Sequence, residues 1–135
     1  MDDNAVCLDT SVLVAYLRGN EPGAAAVERA VKDYACRVTA ITVYELLFGM
    51  ARAQKRVSEE ALLDVMLTLP FDDTAARRAA QLHASLIGQN ADIGVKDTLI
   101  AAICLAQNLP LLTLNERHFS RVPGLRLLDP ATLLA

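Results

Sequence analysis

The segment Ala5-Val6-Cys7-Leu8-Asp9-Thr10-Ser11-Val12-Leu13-Val14-Ala15-Tyr16-Leu17, residues 5–17, decides how the chain folds. Residues 5–8 are a short apolar run, the signature of a strand buried on both faces. Residues 9–11 are three consecutive helix N-cap types, whose side-chain oxygens can accept from the unpaired N–H groups of a first helical turn. Apolar residues 12–17 follow, and Gly19 supplies a stop, so a helix over 12–17 is predicted. A strand that runs through an acid directly into a helix is the opening unit of a parallel α/β fold. The alternation then recurs: strands are predicted at 36–41, 69–71, 109–113 and 125–128, and helices at 22–34, 42–53, 58–67, 74–87 and 97–107. Pro22 suits a first turn, Ser58 a cap with Glu59 and Glu60 behind it, and Gly88 a helix end. The expected fold is α/β, a doubly wound, mostly parallel sheet of four to five short strands flanked by helices, with residues 1–135 as one domain. Residues 131–135 read as a short packing tail.

Composition narrows the function classes. Of 135 residues, 53% are hydrophobic and 21% charged, which excludes a disordered chain. Aromatic residues are only 4%, without Trp, so the core must be aliphatic. The longest apolar run, residues 99–106, is far short of the ~20 residues a membrane span needs. The start, Met-Asp-Asp-Asn, is acidic where an export signal would be basic. Cys7, Cys36 and Cys104 stand apart among apolar neighbours and read as buried thiols, so the expected location is the cytoplasm. Thirteen basic against sixteen acidic residues give a net charge of −3. A polyanionic partner must therefore be met by a local basic patch or through a bound cation. Two basic clusters, Arg117-His118 with Arg121 and Arg126, and Arg52 with Lys55 and Arg56, read either as solvated faces or as such a patch.

In a doubly wound sheet, ligands bind outside the carboxyl ends of the strands. Asp9 directly follows the first strand, and Glu45 lies in the first turn of the helix leaving the second. Asp97 opens a helix that runs back toward strand 109–113, so its first turn returns to the same rim, where Asn115 and Glu116 follow that strand. Taken singly, each has an ordinary structural role open to it. Asp9 and Asp97 are N-cap candidates, Thr42-Val43-Tyr44-Glu45 matches a capping box, and Asn115 can start a turn. Against those roles, Glu45 shares a helix face with Ile41 and Phe48, and Asp97 shares one with Ile100, Ala101 and Cys104. An unpaired carboxylate on an apolar face is costly, and acids that face one another repel unless a cation neutralises them. Oxygen-only ligands select Mg²⁺ or Mn²⁺, an ion that keeps waters, bridges to phosphate and activates a water molecule.

Four stretches now resemble a known family: L-D-T-S-V-L-V-A-Y-L at 8–17, A-I-T-V-Y-E-L-L-F-G at 40–49, D-T-L-I-A-A at 97–102 and T-L-N-E-R-H-F-S-R-V-P-G-L at 113–125. They resemble a PIN domain and, more closely, the VapC-type ribonuclease toxins of bacterial toxin–antitoxin pairs. The resemblance spans nearly the whole chain. It implies a metal-dependent endoribonuclease acting on RNA, usually a homodimer, held inactive by a small antitoxin whose tail enters the acidic site. On that basis Asp9, Glu45 and Asp97 match the family's acidic metal positions and Asn115 the fourth catalytic position, with Thr10 or Ser11 as a supporting hydroxyl. Arg117, Arg121 and Lys96 are candidates for the RNA backbone. Relatives often place a further acid before the D-T-L-I-A-A motif; here Gly94-Val95-Lys96 stands there, which together with the neutral Asn115 speaks for one metal rather than two.

Other readings remain open at this level. A housekeeping RNA-processing nuclease has the same site, although a small chain without an appended domain favours the toxin. Asn115 and Val95 leave room for a partner-binding module without catalysis. An aspartyl-phosphate mechanism on Asp9 wants a second Asp where Ser11 stands. His83 and His118 have no Ser or Cys partner at a useful spacing, and Gly23, Gly88 and Gly94 form no phosphate-binding loop.

Overall fold

A computed structural model describes residues 4–53 and 58–135. Met1, Asp2 and Asp3 of the acidic start, and Lys55 and Arg56 of the second basic cluster, lie outside the described residues. The elements run β1 (Ala5–Leu8), α1 (Thr10–Arg18), α2 (Gly23–Asp33), β2 (Ala35–Thr39), α3 (Ala40–Ala53), α4 (Ser58–Asp64), β3 (Leu67–Leu69), α5 (Asp73–Gly88), α6 (Val95–Gln107), β4 (Leu111–Leu112), α7 (Glu116–Phe119), β5 (Leu127–Leu128) and α8 (Pro130–Leu134). The strands form one sheet in the order β3-β2-β1-β4-β5, and every pairing is parallel. From β1 the chain builds outward through β2 and β3 on one side, then crosses to lay β4 and β5 on the other. The order therefore reverses between β1 and β4, which makes the seam between their carboxyl ends the switch point of the fold.

A parallel sheet of this kind needs both faces covered. Side chains alternate along β1, so Val6 and Leu8 enter one apolar cluster while Cys7 enters the other. The first cluster joins Val12 and Leu13 of α1, Ala26, Val27 and Ala30 of α2, Leu46 of α3, Leu62 of α4 and Leu133 of α8. The second joins Ala75 and Leu86 of α5, Ile100, Ile103 and Cys104 of α6, and Phe119. All three cysteines are free and buried, as their apolar settings imply.

Element boundaries shift where a side chain chooses differently from the hydrophobic pattern. The strand expected over 36–41 ends at Thr39, and the helix expected at 42 starts at Ala40. The cause is local: the Thr42 amide donates to Thr39 Oγ1 at 3.2 Å, so Thr39 rather than Thr42 caps the helix. Helix 58–67 stops at Asp64, and β3 occupies Leu67–Leu69 rather than 69–71, fixed by pairing of Arg37, Val38 and Thr39 with Leu67, Thr68 and Leu69. Leu67 and Thr68 are exposed at the sheet edge, so burial left no pattern there to read. Strands 109–113 and 125–128 contract to two residues each, helix 97–107 begins at Val95, and helix 12–17 begins at Thr10. The tail at 131–135 belongs to α8, capped by Asp129, whose carboxylate accepts from the Thr132 amide at 2.7 Å.

Two glycines test this packing with opposite signs. A Cβ built on Gly23 would stand 2.6 Å from the Ala15 Cβ where α1 crosses α2, whereas one on Gly49 in α3 meets nothing within 4 Å. Urea unfolding should therefore show Gly23→Ala less stable by about 1–3 kcal/mol. Gly49→Ala should be more stable by about 0.5–1 kcal/mol, because alanine loses less backbone entropy in a helix.

Candidate active site

Asp9 occupies the N-cap position of α1, yet its side chain makes no capping bond. Its carboxylate is 2% exposed and turns instead across the β1–β4 seam. Ser11 Oγ and Thr113 Oγ1 each donate to Asp9 Oδ2 at 2.8 Å. The two hydroxyls are themselves fixed by backbone: the Leu114 amide donates to Ser11 Oγ at 3.0 Å, and the Asn115 amide to Thr113 Oγ1 at 2.8 Å. Two donors on one carboxylate oxygen replace hydrogen bonds that burial takes from water. The residue that follows β1 and the one that follows β4 are thus locked to each other at the switch point.

The Glu45 carboxylate is held by a separate chain of hydroxyls. Thr10 Oγ1 lies 2.9 Å from both Glu45 Oε1 and Thr42 Oγ1, and Thr39 Oγ1 lies 3.3 Å from Thr42 Oγ1. A hydroxyl has one proton, and an ionised carboxylate only accepts, so Thr10 donates to Glu45, Thr42 to Thr10, and Thr39 to Thr42. On its other oxygen, Glu45 Oε2 stands 3.8 Å from Lys96 Nζ. The capping-box reading of Thr42 and Glu45 is corrected accordingly: Thr39 takes the cap, and Glu45 is free to face the rim. The face it shares with Phe48 is apolar but solvent-exposed, not buried.

Asp97 lies in the first turn of α6, two residues past its start, and Gly94 rather than Asp97 holds the N-cap position. Burial pushes its carboxyl above the usual carboxylate range, and the charge of Asp9 pushes it further; His118 pulls it back, and Glu45 adds a smaller upward push. Asp97 therefore feels the charge of both Asp9 and Glu45. His118 Nδ1 stands 3.4 Å from Asp97 Oδ2, which brings a residue dismissed for lack of a nucleophile partner to the edge of the acidic centre. It arrives on α7, a four-residue helix too short to leave a periodic signal.

Asn115 begins α7 with its side chain uncommitted to capping, and it is exposed. Of the basic candidates, Lys96 pairs with Glu45, Arg121 donates from Nη1 to the Asp92 carbonyl at 3.1 Å, and Arg117 projects from α7 as an exposed side chain. The sequence offers Thr42 only as a helix cap and gives no site role to Thr39 or Thr113. Thr113 was the findable one, because it follows β4 as Asp9 follows β1.

Among the described residues, no three His, Cys, Asp or Glu side chains converge closely enough to cage an ion. The donor set is nonetheless oxygen-only; burial raises Asp97 most, and the further push from the charges of Asp9 and Glu45 is one a cation would relieve. An open set of this kind suits a hard divalent ion that keeps several waters.

Comparison with known proteins follows this geometry. A family model described as PIN domain matches residues 6–125. Ribonuclease VapC of Rickettsia bellii is 31% identical over 129 residues, covering 90% of this chain and 92% of that protein. Ribonuclease VapC5 of Mycobacterium tuberculosis is 34% identical over 124 residues, covering 87% of each. Among solved structures, VapBC2 from Rickettsia felis, bound to a DNA fragment from its promoter, superposes with a TM-score of 0.78 at 25% identity, covering 93% of this chain and 98% of that one.

Two substitutions probe the site. Thr113→Val keeps the shape but removes one donor to Asp9 and the acceptor of the Asn115 amide, and urea unfolding should register a loss of about 1–3 kcal/mol. Asp97 has a folded-state pKa above its unfolded value of 3.8, so the folded state binds more protons in that window and stability falls as pH rises through it. In metal-free buffer Asp97→Asn should raise the Tm at pH 7, with the gain vanishing below about pH 3.8.

Proposed function

Because the chain belongs to the PIN domain family, we propose that it is a metal-dependent endoribonuclease, the toxin of a toxin–antitoxin pair. The observation that carries the reading is the Asp9 carboxylate, held by Ser11 and Thr113 at the switch point, with Asp97 near enough to feel its charge and that of Glu45. Asp9 and Asp97 would hold a divalent ion, Mg²⁺ or Mn²⁺, with Glu45 completing the acidic set and Asn115 offering a neutral oxygen. Held by these residues, such an ion would supply an activated water and positive charge against the phosphodiester. Hydrolysis joins a water oxygen to phosphorus and breaks one P–O ester bond, whose oxygen leaves with a proton.

The chain's own residues set the conditions for that step. Ser11 and Thr113 fix the direction of the Asp9 carboxylate. Thr10 aims Glu45, and the Lys96 ammonium tempers its charge. His118 contacts Asp97 from α7, and the exposed Arg117 and Lys96 would take phosphates of the substrate. Arg121, spending a donor on the Asp92 carbonyl, serves the substrate less.

The antitoxin is supported by the structures this fold superposes on, which are VapBC complexes. A surface groove of about 820 Å³ between α1, α2 and α4, apolar at Leu17, Val27 and Leu62 and charged at Glu21, Glu28 and Lys32, suits an amphipathic segment of such a partner. A homodimer would draw on Leu67 and Phe71, apolar side chains left exposed on and just after the edge strand β3. Leu46 is buried in the first core cluster, and Leu63 and Met66 pack against it while staying partly exposed.

Purified protein should cut RNA with Mg²⁺ or Mn²⁺ present, stop in EDTA and recover when the ion is returned. Asp9→Asn and Asp97→Asn should each slow cleavage by about a hundredfold or more in a gel-based assay. Wild-type rates for Asp9→Asn would overturn the reading.

A further inference from the structure

Three acids and a lysine gather at the rim of the site, and they do not couple equally. The charge of Asp9 raises the Asp97 carboxyl more than that of Glu45 does, so Asp9 and Asp97 form the closer pair. Glu45 stands to one side with partners of its own. Its Oε1 accepts from Thr10 Oγ1 at 2.9 Å, and its Oε2 lies 3.8 Å from Lys96 Nζ. The Glu45 side chain is 23% exposed and that of Lys96 60%, so a largely covered acid is met by an ammonium reaching in from solvent. Lys96 directly precedes Asp97 in the first turn of α6, so the turn that presents the acid also carries the cation. Among the described residues, no third acid joins Asp9 and Asp97 closely enough to enclose an ion. The rim thus divides into a two-carboxylate seat and a carboxylate that already faces a cation.

We propose that Lys96 takes the place of a second divalent ion: its ammonium, set against Glu45, supplies the fixed positive charge on that side of the phosphodiester and keeps Glu45 from recruiting another cation. This role rests on the ribonuclease reading above and specifies how many ions that site takes. An acid that binds a metal needs a free oxygen, and here one oxygen accepts from a hydroxyl while the other faces an ammonium. A divalent ion brought to the same carboxylate would be repelled by that ammonium, which weakens its binding by about tenfold or more. Lysine has three donors, so one directed at Glu45 leaves two for phosphate oxygens of the substrate. An ammonium adds charge but activates no water, and that task stays with the seat at Asp9 and Asp97.

The competing reading is an ordinary surface ion pair that yields once a metal arrives. Exposed pairs contribute little to stability, so unfolding measurements do not separate the two readings. The number of bound ions does.

The test counts Mn²⁺ on the full chain, by loss of the free-ion EPR signal during titration, with calorimetric titration for Mg²⁺. The wild-type chain should bind one ion, and Lys96→Arg should do the same. Lys96→Gln should bind two, the second at least about tenfold more tightly than any further binding to the wild type. Adding Glu45→Gln to Lys96→Gln should return the count to one, which locates the second ion on Glu45. Two Mn²⁺ ions at one rim also broaden each other's EPR lines, and only Lys96→Gln should show that broadening. In RNA cleavage Lys96→Gln should be slow at low Mg²⁺ and recover with a Hill slope near two, against a slope near one for the wild type. Two ions on the wild type, or one on Lys96→Gln, overturns the proposal. If the wild type still cuts RNA in that case, only the role of Lys96 is lost. A wild-type chain that binds no ion and cuts no RNA removes the ribonuclease reading, and the role of Lys96 with it.

Discussion

A carboxylate with almost no exposure, bound by two hydroxyls across the seam where the strand order reverses, is the constraint on which this site depends. Asp9 ends β1 and Thr113 ends β4, and the two strands are neighbours only because the chain winds outward from β1 in both directions. Burying a charge is expensive unless donors replace its water. Ser11 and Thr113 supply them, and backbone amides from residues 114 and 115 hold those hydroxyls in turn. The rim of the crevice is thereby fixed in direction as well as place, which is the pre-organisation a catalytic centre needs.

The same region is electrostatically unrelieved. Glu45 is held by a run of threonine hydroxyls from α1, β2 and α3 and by one ammonium, while Asp97 carries the residue of the strain in a carboxyl displaced upward by burial and by Asp9. A fold selected for stability alone would not gather three acids at one edge. Carboxylates gathered at a strand-end crevice, with one displaced upward by burial and a neighbouring charge, are a physical mark of a functional site. Beside that crevice, the Lys96 ammonium sets a fixed cation against one of the acids.

Much of this was legible before any coordinates. The apolar run 5–8 followed by Asp-Thr-Ser announces a buried strand feeding a helix, and repetition of that unit yields the parallel α/β fold. The rule that strand carboxyl ends carry the ligand site then selects Asp9, Glu45, Asp97 and Asn115 from a chain with sixteen acids. What failed was local and traceable. Thr39 and Thr42 compete for one cap, β3 is an edge strand without alternation, and the two-residue strands and α7 are too short for periodicity to register.

Sequence by itself determined the layer architecture, the aliphatic core and the set of acids brought to one rim, because these follow from periodicities of two and 3.6 residues and from the handedness of crossovers. Tertiary structure alone decided which oxygen faces which donor. The bond from Thr113 to Asp9, the approach of His118 to Asp97 and the placing of Lys96 beside Glu45 join residues from different elements. Such pairings depend on strand register and helix orientation to within an ångström, and a one-dimensional pattern does not carry that precision.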